Sequence, residues 1–549
     1  MLPKRFVLAL ATCLIATVVG QAKTKSTSGL RLVRGLGEAH HAVLTKNARA
    51  QRFFDQGLAL LYGFNHDKAR RCFEHAAKLD PKLAMAWWGV AMTLGPNYNF
   101  PVDPEREKAA YEAVQRAISL QDNASQPERA YINALAFRYS NDPKADLHQL
   151  DVAYRDAMLK LVKQYPDDLD AATFYADSAM NLHPWRLWLH DGRPNEGTGE
   201  VVAILESVLK RDPNHLGANH YYIHAMEASP RPERALPSAA RLEKLAPAAG
   251  HLVHMPAHIY ARLGDYVAAA RVNANAVAAD QKFIRTNRDP GVQATMLHLH
   301  NLHFLAYAHC MSGNFAEAKR AADKLTAEVQ PHLKEMSMLE GFLPTPLMVL
   351  IAFERWNDIL NIPAPAPSLI YATANWHFAR GMALAALGKS DRAEQESKAC
   401  FAGLGKLPQD AAFDPYNSVA SVARVQENLL AGAIKRGRGE RGEEAGEVVE
   451  ALQHAITAED ILNYNEPPSW YPPVRPMLGR VLLDGGKAVA AEKVFRDALE
   501  KSPRYIRALT GLRDSLRAQH RDYEAEQIEL QLRQAQSEID AVSSARIRQ

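Results

Sequence analysis

The feature that most constrains this chain is a 34-residue period among its histidines. His220 and His254 are one period apart, and so are His224 and His258. A recurrence of this length is typical of helix–turn–helix repeats, in which each unit buries its apolar face only by stacking on the next unit. The period therefore predicts an all-α protein in which equivalent histidines lie at matching places on neighbouring helices.

Two segments near the ends of the repeat region follow one template. A bulky residue, a small residue and a closing proline recur at fixed places of the unit. The matching residues are Phe53, Gly57, Leu60, Ala69, Phe73, Ala76 and Pro81 in a unit counted from Ala50, and Leu478, Gly479, Leu482, Ala491, Phe495, Ala498 and Pro503 in a unit counted from Pro472. This is the tetratricopeptide pattern. It predicts a right-handed α-solenoid of tetratricopeptide-like repeats.

The first residues predict export. Lys4 and Arg5 precede an apolar run at residues 6–19, and small residues lead to a cleavage point after Ala22. Cys13 lies inside the run, and we expect it to be removed with the signal rather than to carry a lipid. No later segment is long and apolar enough to span a membrane. We therefore expect a periplasmic or secreted protein without a membrane span.

The repeat signals divide the chain into regions. We expect a signal peptide at 1–22, a lead-in at 23–49, N-terminal repeats at 50–213, histidine-rich central units at 214–332, degenerate repeats at 333–471, and C-terminal units with a cap at 472–549. The formal net charge is +3, with both signs interspersed. This gives no basic footprint for nucleic acid, so we expect no such partner.

One helix face of the central units is rich in potential ligands. At 100° per residue, the second, fifth, ninth and twelfth places of a unit lie together on a face away from the packing stripe. In units starting at Leu216, Gly250 and Leu299, this face carries His220, His224 and Glu227, then His251, His254 and His258, then His300, His303, Tyr307 and Cys310. We expect these side chains to line a concave groove.

The spacing of these histidines suits a metal ion. Histidines at i and i+4 put two imidazoles one helical turn apart, and inward-facing rings of adjacent helices can meet at one ion. The expected ligands are His220, His224, Glu227, His254, His258 and His303. A nitrogen-rich set with one carboxylate favours zinc or copper, with iron or nickel as further candidates. Two alternatives stay open: a groove surface without metal, and histidines inherited from a duplicated repeat without a role.

An insertion precedes the central units. Pro166 and Pro213 both end units, yet they are 47 residues apart instead of 34, and the extra residues fall around residues 181–197. Trp185 and Trp188 lie in this segment, whose turn-forming residues predict a loop. The tryptophans could stack on a ligand if the loop at 183–197 is a lid, or they could be buried between helices.

The chain resembles a family of large exported bacterial tetratricopeptide-repeat proteins. The similar stretches are residues 62–77, 84–99, 214–264, 300–308 and 467–483, in that order. The resemblance implies an α-solenoid, and it implies no activity, because the family has no assigned reaction. It falls on Asn219, His220, His224, Glu227, His251, His254, His258, His300, Asn301 and His303.

Two functions are consistent with the sequence. The first, which we expect, is a binding protein that holds a protein or peptide partner in the histidine-lined groove, which also holds a transition-metal ion. The second is a metal-dependent enzyme, either a hydrolase or a copper or iron oxidoreductase, with its active site in the same groove. The number of protein ligands separates them. Four ligands indicate a closed structural site, whereas three ligands and an open position indicate catalysis.

Overall fold

The computed structural model describes residues 30–286, 292–408, 410–414, 416–439 and 445–547. Within these ranges the regular secondary structure is helical, and the extended pairs are isolated bridges. The all-α fold predicted from the 34-residue period is therefore confirmed. The predicted signal at residues 1–22, with Cys13 in it, lies outside the described residues.

The first eleven helices lead into the histidine-rich region. They are α1 Ala48–Tyr62, α2 His66–Leu79, α3 Ala84–Leu94, α4 Pro104–Ser119, α5 Gln126–Leu135, α6 Leu147–Gln164, α7 Leu169–Met180, α8 Thr198–Arg211, α9 Leu216–Glu227, α10 Leu236–Leu245 and α11 Gly250–His254. Between α7 and α8 lies the insertion predicted as a loop. It contains an isolated bridge between Trp188 and Pro194 and no helix.

Fourteen further helices follow. They are α12 Pro256–Arg262, α13 Tyr266–Thr286, α14 Val292–Ser312, α15 Phe315–Val329, α16 Thr345–Ala352, α17 Trp356–Leu360, α18 Ile370–Ala386, α19 Ser390–Leu404, α20 Val419–Gly437, α21 Ala445–Asp460, α22 Arg475–Asp484, α23 Ala488–Lys501, α24 Ile506–Ala518 and α25 Asp522–Ile547. In the described part of the chain, no helix is both long and apolar enough to cross a membrane.

The chain divides into two compact units. As far as they are described, the N-terminal unit contains Gln21–Ile259 and Asn275–Asn301, and the C-terminal unit contains Tyr260–Ala274 and Leu302–Gln549. Consecutive helices pack as hairpins within each unit, as α1 does on α2 and as α18 does on α19. Each unit is therefore a stack of helical hairpins of the kind that builds an α-solenoid.

A phenylalanine between two glycines joins successive hairpins in the N-terminal unit. The ring of Phe73 on α2 packs against Gly57 on α1 and Gly89 on α3. A Cβ atom added to Gly57 would lie 2.7 Å from this ring, and one added to Gly89 would lie 2.5 Å from it. No side chain larger than hydrogen fits at either place, because contacts under 3.0 Å do not occur in packed interiors.

The C-terminal unit repeats this contact with the same 16-residue spacings. Phe495 on α23 lies between Gly479 on α22 and Gly511 on α24, where added Cβ atoms would be 2.6 Å and 2.1 Å from the ring. The repeat template predicted a small residue where helices cross. This expectation is confirmed in both units.

The turn inside a hairpin needs a residue with positive φ, the left-handed backbone conformation, two positions before the second helix. Four turns place glycine there, with φ between 71° and 87°: Gly264, Gly313, Gly388 and Gly486. Phe64 takes the corresponding place between α1 and α2 with φ 54°. A side chain in this conformation costs roughly 1–3 kcal/mol, so the strain at Phe64 calls for a compensating contact.

The glycine contacts lead to a stability prediction. We expect Gly89→Ala to destabilise the N-terminal unit by about 1–3 kcal/mol, because the added methyl group overlaps the buried ring of Phe73. Gly199→Ala on α8 is the matched control, since nothing lies within 4 Å of its added Cβ atom. Urea unfolding followed by circular dichroism measures both. Equal midpoints for the two variants would show that the Phe73 contact does not limit packing.

Candidate metal centre

Six histidines of the N-terminal unit lie in two groups of three. The first triad consists of His220, His224 and His251, and the second triad of His254, His258 and His300. In each triad, one nitrogen of every ring lies within 4.8 Å of the corresponding nitrogens of the other two rings. A group of three imidazole nitrogens could hold a zinc or copper ion.

Helix geometry explains how the triads form. His220 and His224 lie one turn apart on the unbroken helix α9, so their rings share a face. Pro256 begins α12, a place that suits a residue without an N–H group. His254 is the last residue of α11, and His258 follows it four residues later on α12. Their rings face each other across this short break.

The first triad has fixed ring orientations. His220 Nδ1 lies 2.6 Å from the carbonyl oxygen of Tyr62, which can only accept a hydrogen bond. Nδ1 therefore carries the proton, and Nε2 keeps its lone pair. This Nε2 lies 3.1 Å from His251 Nε2. Two nitrogens bound to one tetrahedral ion at about 2.05 Å would be roughly 3.3 Å apart, close to this separation.

Glu227 orients one ring of each triad. His224 Nδ1 donates to Glu227 Oε1 at 3.0 Å, and His258 Nδ1 pairs with Glu227 Oε2. The carboxylate is only 1% exposed. Because both Nδ1 atoms bear the proton, the Nε2 atoms of both rings are left as lone-pair donors. A carboxylate behind a ligating histidine is the usual way to fix its tautomer and raise its basicity.

The second triad has three nitrogens in close contact. His254 Nε2 lies 2.7 Å from His258 Nε2 and 3.1 Å from His300 Nε2. A ring nitrogen carries either a proton or a lone pair. One proton on His254 Nε2 therefore cannot make two well-aligned hydrogen bonds at once. A cation among the three nitrogens would satisfy all of them.

Burial keeps these rings neutral. The five histidines on α9, α11 and α12 are between 0% and 5% exposed. Desolvation lowers the pKa of His224 from its ordinary value to about 3 and the pKa of His258 below its ordinary value, although the charge of Glu227 opposes the shift at His258. Desolvation and neighbouring histidines also lower the pKa of His220 and of His251. The rings therefore offer lone pairs to a metal at neutral pH.

This burial corrects one expectation from the sequence. The ligand-rich face was predicted to line an open groove, but the histidine side chains of both central helices are enclosed. The reason is the packing around α9, which is buried along its whole length from Leu216 to Glu227. Helical periodicity identified the shared face of these histidines, and it could not show that other segments cover that face.

An aromatic wall covers the first triad. The Phe64 ring centre lies 4.5 Å from that of His220 and 5.6 Å from that of His251. The Tyr98 ring centre lies 4.9 Å from that of His224. The strained backbone of Phe64 thus places its ring against two histidines, and backbone strain of this kind concentrates at functional sites.

The insertion loop contributes to the same wall. Trp185 has a positive φ of 59°, stacks on Tyr98 with ring centres 5.5 Å apart, and lies 5.9 Å from His224. Trp188 instead donates its indole N–H to the carbonyl oxygen of Ala225 on α9, at 2.7 Å. Trp185 therefore contacts the triad, and Trp188 fastens the loop to the helix that carries it.

Two predicted asparagines have structural contacts nearby. Asn219 donates from Nδ2 to the carbonyl oxygens of Pro213 and His215, both at 2.9 Å. Asn301 donates from Nδ2 to Asp280 Oδ2 at 2.7 Å, which connects α14 to α13. These bonds fix the helices that carry His220 and His300.

The remaining predicted residues lie in the C-terminal unit. His303 Nε2 is 3.1 Å from the hydroxyl oxygen of Tyr471, and Tyr307 packs edge-on against the same ring. Desolvation lowers the pKa of His303 to about 4 and raises the pKa of the buried Cys310 thiol above its usual range. In the part of the chain that the structure describes, none of these residues belongs to a metal-compatible group.

Sequence reasoning missed a third group, formed by His41, Asp168 and Asp170. Asp170 pairs with His41 Nδ1 at 2.8 Å and with His215 Nε2 at 3.2 Å, and it accepts the hydroxyl of Tyr62. Desolvation alone would raise the pKa of Asp170, but these histidines hold it below its usual range. The group anchors Tyr62, whose carbonyl oxygen orients His220. His41 lies 129 residues from Asp170, and no local pattern indicates this contact.

Comparisons with known proteins give only distant similarities. No family model and no curated protein matches the chain. Among solved structures, the Cut9–Hcn1 hetero-tetramer of APC/C matches with a TM-score of 0.32 and 14% identity, covering 85% of this chain and 76% of that one. The human IFIT1 dimer with m7Gppp-AAAA gives 0.35 and 12%, covering 87% and 94%. Yeast Tom70 gives 0.27 and 10%, covering 89% and 90%. Similarity this low carries no argument about function.

The depressed histidine pKa values predict acid sensitivity. In the unfolded chain His224 titrates near 6.5, whereas its pKa in the folded protein is about 3. Its stabilising effect is therefore complete above pH 6.5 and is lost as the pH falls. We expect the difference in unfolding free energy between wild type and His224→Gln, both metal-free, to narrow by up to about 1.4 kcal/mol per pH unit below pH 6.5.

Comparing wild type with His224→Gln at each pH cancels the contributions of other titrating groups, including those whose effect on stability has the opposite pH dependence. Desolvation raises the pKa of Asp177 to about 6 and that of Glu459 to about 7, and these groups lower stability as the pH rises. His454→Gln, the same exchange at an exposed position on α21, is the control. A free-energy difference for His224→Gln that stays constant between pH 7.5 and pH 4.5 would contradict the prediction.

Proposed function

We propose that this protein is a metal-dependent enzyme whose active centre is formed by the two triads. One observation carries the proposal. In each triad three imidazole nitrogens converge, and a single buried carboxylate, Glu227, holds one ring of each triad with its Nε2 free to face an ion. Structural packing alone does not require six converging imidazoles, five of them buried, with a carboxylate behind two of them.

The number of ligands favours catalysis over a closed structural site. Zinc sites that only stabilise a fold are closed by four protein ligands, whereas catalytic sites keep three and leave a position for water or substrate. Each triad supplies three nitrogens. A bound ion would therefore keep an open position, at which it supplies Lewis-acid or redox chemistry. Glu227 would then orient ligands rather than bind the ion, and His251 and His300 would join the ligand set.

The donor set restricts the metal. Neutral imidazole suits zinc, copper, iron and nickel, and it suits calcium and magnesium poorly because these ions need oxygen ligands. Zinc would support a hydrolase, and copper or iron would support an oxidoreductase. His303, which the sequence predicted as a ligand, would instead contact the hydroxyl of Tyr471.

The proposal also includes a protein or peptide partner and export from the cytoplasm. A protein or peptide partner would need a surface other than the histidine-rich face, because those side chains are buried. Export to the periplasm or the medium rests on Lys4, Arg5 and the apolar run at residues 6–19, which lie outside the described residues.

The metal content of the purified protein tests the proposal. We expect untagged protein to retain a first-row transition metal that is lost in the variant His220→Gln/His254→Gln, because each exchange removes one nitrogen from a triad. Inductively coupled plasma mass spectrometry gives the ion-to-chain ratio, and the metal found decides whether hydrolytic or oxidative substrates are screened.

The control for this experiment is His148→Gln/His454→Gln, in which two exposed histidines on helices α6 and α21 are exchanged. It removes as many histidines without touching either triad. Equal metal content in both double variants would show that the metal binds elsewhere. Protein that stays without metal after reconstitution with zinc, copper, iron and nickel would overturn the proposed function.

The wall around the first triad generates a second prediction. We expect Trp185→Ala to speed metal loss to a chelator by about tenfold or more, because the ring shields His224 from water. Trp356→Ala, which removes a half-buried tryptophan in the C-terminal unit, is the control. Metal release is followed by chelator absorbance. An unchanged release rate for Trp185→Ala, with the melting temperature preserved, would reject a covering role for the loop.

A further inference from the structure

The two triads lie side by side within one unit. The ring centres of His251 and His254 are 5.9 Å apart, with the ring planes tilted by 28°, and those of His224 and His258 are 5.8 Å apart. Each pair takes one ring from the first triad and one from the second. Ions held by the two triads would therefore be immediate neighbours and not independent sites.

Six imidazoles are too many for one ion of the expected kinds. Zinc and copper bind three or four protein ligands in most sites. Each triad also has its own short contacts, 3.1 Å between the Nε2 atoms of His220 and His251, and 2.7 Å between those of His254 and His258. The nitrogens thus converge on two points, one in each triad.

A single carboxylate group, that of Glu227, contacts one ring of each triad. Its Oε1 accepts from a ring of the first triad and its Oε2 pairs with a ring of the second. A change in charge at one ion alters how strongly its histidine holds the Nδ1 proton, and the shared carboxylate transmits that change to the other histidine. The two metal positions are therefore coupled through a single side chain.

Charge selects the metal for such a pair. An imidazole that binds a metal through its lone pair brings no charge, and Glu227 brings one negative charge to the ligand rings. Net charge is costly to bury, so two ions of charge +1 suit this site better than two of charge +2. Among metals that bind imidazole, copper is the one with a stable +1 state, and in its +2 state it also binds nitrogen ligands most tightly.

From these observations, and resting on the proposed function, we propose that the two triads hold two copper ions together as one dinuclear centre whose two halves share Glu227 as the partner of one ring each. Each ion has three imidazole ligands and an open position. The exogenous ligand of such a centre is a small molecule able to reach both open positions, of the size of dioxygen or azide.

Copper counting and electron paramagnetic resonance test this proposal. We expect untagged protein reconstituted anaerobically with Cu(I) to bind about two coppers per chain, and His251→Gln and His300→Gln to bind about one each, since each variant disrupts one triad. With Cu(II) and azide bound, we expect the spin signal of the wild type to account for less than half of its copper, because azide at both open positions would couple the two spins. In the two variants the spin signal should account for nearly all of the bound copper.

Each alternative outcome has a distinct meaning. One copper per chain in the wild type, lost in both variants, would overturn the pair and leave the metal-dependent enzyme in place. Two coppers with a full spin signal would overturn the coupling. If the protein binds neither copper nor any other transition metal tested, the proposed function itself is overturned. Circular dichroism confirms that the variants fold, and the spin count of the wild type decides the coupling without them.

Discussion

The histidine cluster depends on one buried carboxylate. Glu227 ends α9, is almost completely shielded from water, and bonds the Nδ1 atoms of His224 and His258. A carboxylate in such a place is stable only with paired donors, and these donors are rings whose proton position it then decides. The tautomer of two histidines, the direction of their lone pairs and the closeness of α9 to α12 all follow from this contact.

Repeat packing supplies the frame that brings these groups together. Because equivalent places recur every 34 residues, a histidine pair on α9 is matched by one on α11 and α12 in the next hairpin. Hairpins approach closely where glycine faces a phenylalanine, as Gly57 and Gly89 face Phe73. In the turn between α1 and α2, the left-handed position is not taken by glycine. Phe64 occupies it, and its ring lies against the first triad.

The fold could be predicted from sequence to a far greater extent than the site. Periodicity reports which residues share a helix face, so it placed His220 and His224 together correctly, but it did not separate them from His254 and His258, which belong to the second triad. It does not report which nitrogen of a ring points inward, and Glu227 was therefore expected as a ligand although it lies behind the rings. Long-range contacts also leave no local signal. The carbonyl oxygen that orients His220 belongs to Tyr62, which is 158 residues away, and the covering ring of Trp185 comes from an insertion.

The composition of this interior favours a bound metal over a purely structural role. Polar groups in a protein interior cost free energy unless every donor and acceptor is matched, and a well-packed apolar core of equal volume is commonly as stable or more so. The glycine–phenylalanine contacts around Phe73 show that this chain builds such cores elsewhere. In the triads, His224 Nε2 and His251 Nδ1 are buried without a hydrogen-bond partner among the described residues. An ion in the first triad would satisfy His224 Nε2, and its binding free energy would add to the stability of the folded state alone. The proposed metal would therefore account for six imidazoles converging in this interior.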